Sequence, residues 1–116
     1  MRINEYNSLE EFTYEYDGKA CGEGHYCGLE FSYKGAIYRL HTFGMLERGT
    51  PKLKDGRKGL FSLYKILRNY PGPNDEDYEL LGWFADMPDL LKSKVIDNRE
   101  FREVIMDDSA EMLAKD

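Results

Sequence analysis

The strongest structural signal in this chain is an alternation of apolar and polar residues on both sides of a Lys-Gly step at residues 34–35. Leu29, Phe31 and Tyr33 alternate with polar residues, which is the period-two pattern of a half-buried strand. Glycine tolerates the positive φ that a two-residue hairpin turn requires. The stretch 28–43 is therefore predicted to form a β-hairpin.

A turn at residues 34–35 also predicts the register of this hairpin. Tyr33 then pairs with Ala36, and Glu30 lies opposite Arg39. A cross-strand pair of opposite charges adds roughly 0.2–1 kcal/mol. A slip of one residue would turn the apolar side chains to water and would separate the ion pair. One face of the hairpin is therefore predicted to belong to the core.

A second hairpin is predicted from two apolar segments that flank a proline-rich loop. The spacing of residues 60–67 fits either a buried strand or a helix. The strand is preferred, because residues 78–84 are a suitable antiparallel partner. The Pro-Gly-Pro sequence at 71–73 prevents a helix between them.

Two helices are predicted from capping residues and apolar spacing. The first spans residues 7–16, where Asn7 or Ser8 can provide the cap. The second begins at Asp86, an N-cap residue type, and Pro88 follows in the first turn, where its missing N–H costs nothing.

The C-terminal region leaves alternatives open. Asp97 or Asn98 starts a further element, and residues 101–106 fit either a short helix or a short final strand. The acidic tail, residues 107–116, is expected to be a frayed helix that docks through Met112 and Leu113.

These segments predict one α+β domain over residues 1–116. It should contain an antiparallel sheet of about four to five strands, built from two hairpins, with two to three short helices packed on it. The chain has 116 residues, of which 41% are hydrophobic, and this suffices for one domain with a modest core.

The sequence predicts a cytoplasmic protein that is not bound to a membrane. No apolar run approaches the roughly 20 residues of a membrane helix. The first residues lack the apolar core of a signal peptide. Two cysteines do not make a disulfide framework, so reduced thiols are expected.

The net charge of −6 is concentrated in the second half of the chain. Residues 1–58 contain nine basic and nine acidic side chains, whereas residues 59–116 contain seven and thirteen. An acidic surface repels nucleic-acid phosphates and favours a partner protein with a basic surface. The competing explanation is that these acids only keep the domain soluble.

The charge asymmetry and the nine tyrosines favour a non-catalytic protein-interaction module. Tyrosine is enriched at interfaces because it offers large contact area at low entropic cost. A sharper hypothesis is an inhibitor or immunity-type protein that binds the basic groove of a nucleic-acid enzyme. The candidate partner contacts are Tyr70, Asp75, Glu76, Asp77, Tyr78, Asp107, Asp108 and Glu111.

Direct nucleic-acid binding is not expected. Tracking phosphates requires a basic stripe, and here the clustered basic residues are confined to the loop 44–59. That loop is either a basic finger for an acidic partner or a solvated turn region centred on Asp55-Gly56.

The main alternative function is a small zinc-stabilised domain. Cys21, His25 and Cys27 are the only clustered soft ligands, and His41 could be a fourth. A structural zinc site needs four ligands in a tetrahedron, and this spacing matches none of the common patterns. No cofactor is therefore expected, with zinc kept as the alternative.

Enzyme activity is not expected either. The chain has two histidines and no Gly-x-Ser-x-Gly elbow, so no nucleophile is placed beside a base by sequence. A thiol-dependent enzyme that pairs Cys27 with His41 remains as a weaker alternative.

Overall fold

A computed structural model of the protein describes residues 9–10, 13, 27–42, 52–67 and 77–115. The strands within these ranges are β1 (Cys27–Tyr33), β2 (Ala36–Thr42), β3 (Phe61–Ile66), β4 (Tyr78–Phe84) and β5 (Glu111–Lys115). The helices are α1 (Met87–Lys92) and α2 (Phe101–Met106), both between β4 and β5. The predicted small α+β domain is confirmed.

The five strands form one antiparallel sheet in the order β4-β3-β2-β1-β5. The first four strands are neighbours in chain order, whereas β5 returns to pair with β1. Because β4 and β5 lie at opposite edges, the chain between them must cross the sheet. The two helices lie in that crossing and cover one face, which we call the inner face; the opposite one is the outer face.

The predicted β1–β2 hairpin is confirmed in its register. Tyr33 pairs with Ala36 and Glu30 pairs with Arg39, whose guanidinium lies 3.1 Å from the Glu30 carboxylate. Lys34 and Gly35 have φ values of 47° and 84°. Two positive φ angles in succession define the turn that matches the twist of a two-residue hairpin.

Residues 60–67 form a strand rather than a helix, as predicted. Phe61 pairs with Phe84, and Ile66 pairs with Tyr78. The register shifts once within this pair of strands, which leaves Leu81 as an additional residue in β4. Such a bulge bends an edge strand and increases its twist.

The core lies between the inner face of the sheet and the two helices. Phe31 is fully buried, and its ring centroid lies 5.5 Å from that of Tyr38 and 6.1 Å from that of Phe101 in α2. Offset and edge-to-face aromatic pairs contribute about 0.5–1.5 kcal/mol beyond their buried area. The other buried residues of the cluster are Leu29, Tyr33, Leu40, Phe61, Leu63, Met87, Leu90, Ile96, Val104, Ile105 and Ala110.

The start of α1 agrees with the sequence prediction. The side chain of Asp86 accepts a hydrogen bond of 2.9 Å from the backbone N–H of Asp89, and Pro88 lies in the first turn. Met87 and Leu90 are buried against the core. A cap of this type stabilises a helix by about 1 kcal/mol.

The start of α2 differs from the prediction. Asp97 and Asn98 do not cap the helix, because Glu100 occupies the N-cap position without a side-chain bond. Both residues have positive φ, 57° and 54°, and they turn the chain so that Ile96 pairs with Arg99. Asp and Asn tolerate this left-handed conformation better than most residues. The helical alternative for residues 101–106 is confirmed.

The expected frayed C-terminal helix is wrong, because residues 111–115 form β5. Met112 packs against the core, as predicted, but Leu113 lies at a register shift and is 48% exposed. Pairing with β1 supplies backbone hydrogen bonds to an edge that would otherwise lack them. This long-range pairing outweighs the local helical preference of the tail.

The first predicted helix is described only in part. Leu9, Glu10 and Thr13 are helical, and the Thr13 hydroxyl donates to the Leu9 carbonyl at 2.9 Å. The rest of residues 7–16 lies outside the described residues. Among the helices that are described, none is long and apolar enough to cross a membrane.

Candidate interaction surface

The outer face of the sheet carries predicted partner residues from both of its edges. Backbone pairing places Tyr78, Ile66 and Ile37 in one row. The same row continues through Ser32 to Glu111 on β5. Neighbouring strands are about 4.8 Å apart, so the row is roughly 19 Å long. Tyr78 and Glu111 therefore share a face, although they lie at opposite edges of the sheet.

The β3–β4 side of the outer face is aromatic and apolar. The Tyr64 ring lies 5.3 Å from the ring of His41 and 6.1 Å from that of Tyr78, which it meets edge to face. Leu80 lies opposite Tyr64 and is 49% exposed. We call Tyr64, Tyr78 and Leu80 the aromatic patch. Its three members are partly solvent-accessible and occupy adjacent strands.

One buried polar side chain lies beside this patch. Ser62 is fully buried in β3 and is paired with His41 on β2 and Trp83 on β4. Within the described part of the chain, the Ser62 Oγ has no hydrogen-bond partner. A buried hydroxyl without a partner costs about 1–3 kcal/mol. The outer face therefore retains a group that opposes folding.

The β5 side of the surface is acidic. Between residues 100 and 113 the chain has five carboxylates and one guanidinium. The guanidinium, on Arg102, lies 2.7 Å from the Glu100 carboxylate. Glu103, Asp108 and Glu111 are exposed, and we call these three residues the acidic edge. They lie on α2, on the following turn and at the start of β5.

Asp107 lies next to the acidic edge but serves the fold. One carboxylate oxygen accepts bonds from the backbone N–H and the hydroxyl of Ser109, at 2.9 and 2.7 Å. The other accepts from the Arg99 guanidinium at 2.9 Å. The backbone bond from Ser109 and then the bond from Arg99 hold the pKa of Asp107 far below its ordinary range. Its charge is therefore compensated within the chain.

A polar network at the tip of the first hairpin continues from Arg99. The buried Tyr33 hydroxyl donates to the Asp97 carboxylate and accepts from Arg99, both at 2.9 Å. Lys34 donates to the same carboxylate at 3.0 Å, and this bond is the main reason that the pKa of Asp97 is lowered. The network joins the hairpin turn to the turn before α2. Sequence reasoning missed it, although the Asp-Asn pair at 97–98 is itself a signal for a left-handed turn.

Arg57 connects the basic loop, residues 44–59, to the start of α1. The Arg57 guanidinium lies 2.7 Å from Asp55, 3.1 Å from Asp86 and 2.7 Å from Asp89. The hydrogen bond that Arg57 donates to Asp55, and then the one to Asp89, raise the pKa of Arg57 above its ordinary value. The turn predicted at Asp55-Gly56 is confirmed, since Gly56 has a φ of 88°. Arg57 is thus engaged inside the chain and is not displayed as part of a basic finger.

Of the predicted partner residues between β3 and β4, only Asp77 lies within the described part of the chain. Tyr70, Asp75 and Glu76 lie outside the described residues. Asp77 is only 3% exposed, and its carbonyl accepts a bond of 2.8 Å from the backbone N–H of Leu67. Asp77 therefore offers little surface to a partner in this conformation, and the contact of Asp77 with a partner stays a prediction.

The residues of the zinc alternative are described incompletely. Cys21 and His25 lie outside the described residues, and Cys27 opens β1 opposite Thr42. His41 pairs with Gly28 and contacts Tyr64. In the described ranges, no group of three or more His, Cys, Asp and Glu side chains could hold a metal ion. The zinc site and the thiol–imidazole pair stay predictions.

No protein-family model matches this chain, and no curated protein or solved structure is detectably similar to it. The outer face and the acidic edge are therefore the features from which a function can be inferred.

Proposed function

We propose that this protein is a non-catalytic interaction module that binds a basic protein surface through its acidic edge. The observation that carries the proposal is the exposure of Glu103, Asp108 and Glu111 on consecutive elements of a segment that contains a single guanidinium. That guanidinium is already bonded to Glu100. The net excess of negative charge in this exposed segment would steer a cationic partner.

The aromatic patch supplies contact area for the same partner. A protein–protein interface of ordinary size buries about 800 Å² on each side, which corresponds to a round patch about 30 Å across and exceeds the outer-face row of roughly 19 Å. One partner can therefore cover the row from Tyr78 to Glu111. Tyrosines at one edge give such an interface apolar area, and the carboxylates at the opposite edge give it charge selectivity.

The sharper form of the proposal is an inhibitor of a nucleic-acid enzyme. An enzyme that binds phosphates has a basic groove, and the carboxylates of the acidic edge can occupy such a groove in place of the phosphates. The absence of a compensating basic cluster between residues 100 and 113 supports this class of partner. The partner would be recognised by its positive surface rather than by one apolar pocket.

The experiment is an affinity capture from native cell lysate followed by binding measurements. The main captured protein is purified, and its dissociation constant is measured at low and high salt for the wild type and for a Glu103→Lys/Asp108→Lys/Glu111→Lys variant. We expect the variant to bind at least about tenfold more weakly at low salt, with a reduced salt dependence. A Glu79→Lys variant, altered on β4, is the control for the single reversal Glu111→Lys on β5, because both change the net charge by two units, and it should bind nearly as the wild type does.

Binding that is indifferent both to salt and to reversal of the acidic edge contradicts the proposal. Testing the captured protein for nuclease or nucleic-acid-binding activity decides the sharper form. If its activity persists in the complex, the inhibitor hypothesis is wrong.

A further inference from the structure

The tip of the basic loop contains an aspartate followed by a glycine in an open position. Asp55 and Gly56 are both exposed, and an added Cβ on Gly56 would meet no atom within 4 Å. The backbone of Gly56 is left-handed, with a φ of 88°. Among the described residues other than its two chain neighbours, none therefore fills the space beside Gly56.

The peptide bond between aspartate and glycine isomerises through a succinimide faster than other aspartyl peptide bonds do. The backbone nitrogen of the glycine attacks the side-chain carbonyl carbon of the aspartate, and the carboxyl oxygen leaves as water. The product is a five-membered succinimide. Water then adds at either ring carbonyl and restores aspartate or produces isoaspartate, so the overall change is an isomerisation that needs no other reactant. Glycine favours the attack because it carries no side chain.

In the folded protein, hydrogen bonds engage both reacting groups, the Asp55 carboxylate and the Gly56 N–H. The two carboxylate oxygens of Asp55 accept bonds from the backbone N–H of Arg57, at 3.0 Å, and from its Nε, at 2.8 Å. The N–H of Gly56, whose proton must leave for the attack, donates to the Leu53 carbonyl at 2.9 Å. The electrophile and the nucleophile are therefore each engaged with a different partner.

We propose that Asp55-Gly56 is a latent isomerisation site that the Arg57 side chain keeps closed in the folded protein. Arg57 acts on the reaction by two routes. Its Nε–H and backbone N–H engage both carboxylate oxygens of Asp55, and these bonds must break before the carboxyl carbon is free to react with the Gly56 nitrogen. It also lowers the pKa of Asp55, mainly through the side-chain hydrogen bond, and the carboxylate anion is a poorer electrophile than the acid.

The same guanidinium gives the modification a structural consequence. Arg57 also bonds Asp86 and Asp89 at the start of α1. Isoaspartate at position 55 adds one methylene to the main chain and displaces the carboxylate. The turn that presents Arg57 to α1 then loses its geometry, so isomerisation loosens the loop from the helix.

The test measures isoaspartate at position 55 during incubation of the full chain at neutral pH and physiological temperature. Peptide mapping by mass spectrometry with electron-transfer fragmentation distinguishes the two isomers, and enzymatic methylation of isoaspartate provides a second readout. The reference is the same chain unfolded in urea. We expect the native wild type to isomerise at least about tenfold more slowly than the unfolded chain, because charge-assisted bonds must break first.

Three variants assign this protection to Arg57. Arg57→Ala, checked for folding by circular dichroism, should isomerise several-fold faster than the wild type but more slowly than the unfolded chain, because the backbone bonds of residues 56 and 57 remain. Arg57→Lys removes the Nε–H donor but keeps the charge, and it should react at an intermediate rate. The matched control, Asp86→Asn/Asp89→Asn, removes the two charges that attract Arg57 to α1 but leaves the Asp55–Arg57 pair, so its rate should equal that of the wild type.

Two results would overturn the proposal. One is an equal rate in the native and the urea-unfolded wild type. The other is a folded Arg57→Ala or Arg57→Lys protein that isomerises as slowly as the wild type. An Asp55→Glu variant, which would need a six-membered ring, gives the background of both assays.

Discussion

The two faces of the sheet differ in how far their side chains are buried. On the inner face Leu29, Phe31 and Leu40 are fully buried against the helices. On the outer face Tyr64 and Tyr78 are only partly buried, and Leu80 is half exposed. Strands supply side chains to both faces by strict alternation, so the chain had to fill both. The inner face is buried throughout its centre, whereas the outer face is buried at Ser62 and Ile66 but leaves Tyr64, Tyr78 and Leu80 accessible.

The difference shows where function can be sought. A face chosen for stability alone would not keep a buried hydroxyl without a partner, as Ser62 does within the described residues. It also would not expose a leucine beside two tyrosines. Residues that folding does not account for are the ones that a binding role can explain. The outer face meets this description, and the acidic edge adjoins it.

The largest expected effect is the difference in stability loss between substitutions on the inner and the outer face. Phe31→Ala removes a fully buried ring that packs on Tyr38 and Phe101, and it should lower the free energy of unfolding by about 3–5 kcal/mol. The matched variant on the outer face, Leu80→Ala, should lower it by less than about 1 kcal/mol. Urea unfolding followed by circular dichroism measures both. Equal losses would mean that the two faces are not distinct.

A smaller effect, opposite in sign, is expected at Ser62. Ser62→Ala removes a buried hydroxyl that has no hydrogen-bond partner in the described part of the chain, and it should raise the free energy of unfolding by about 1 kcal/mol. Ser32→Ala, on the same face but less buried, is the control and should be nearly neutral. A clear loss of stability in Ser62→Ala would show that the hydroxyl is bonded after all.

The smallest expected effect concerns the rim of the inner face, where Asp107 bonds Arg99 and Ser109. The folded-state pKa of Asp107 is depressed, so its contribution is complete above the unfolded value of about 3.9 and is lost as the pH falls towards the folded value. Asp107→Asn should therefore flatten the acid limb of the stability curve, measured by urea unfolding as a function of pH.

Ser109→Ala provides the internal comparison for that measurement. It removes one donor to Asp107 and leaves the backbone N–H of residue 109 and the Arg99 guanidinium in place. We expect an acid limb between those of the wild type and Asp107→Asn. An unchanged acid limb in both variants would assign the acid sensitivity to other carboxylates.

The elements that could be predicted from the sequence are those whose cause lies within a few residues. Alternation around a Lys-Gly turn defined the β1–β2 register, and the Asp86 side chain marked the start of α1. Hydrogen-bonding and steric preferences over such short distances act in nearly the same way in every fold. The acidic character of the C-terminal region is likewise a property of composition.

The position of β5 was decided by the tertiary structure. Its residues have no strong local preference for a strand, and only the unpaired edge of β1 selects that conformation. The same holds for Asp97, whose left-handed backbone is joined to Tyr33 across 64 residues of sequence. The burial of Asp77 also depends on contacts that sequence spacing does not encode.

The sequence by itself determined the hairpins, the cap of α1 and the excess of negative charge, because these follow from neighbouring residues. The order of the strands, and with it the placement of Tyr78 and Glu111 on one face at opposite edges of the sheet, came only from the tertiary structure. The physical reason is that strand pairing joins residues far apart in the chain, and the pairing that buries most apolar surface selects which distant residues become neighbours.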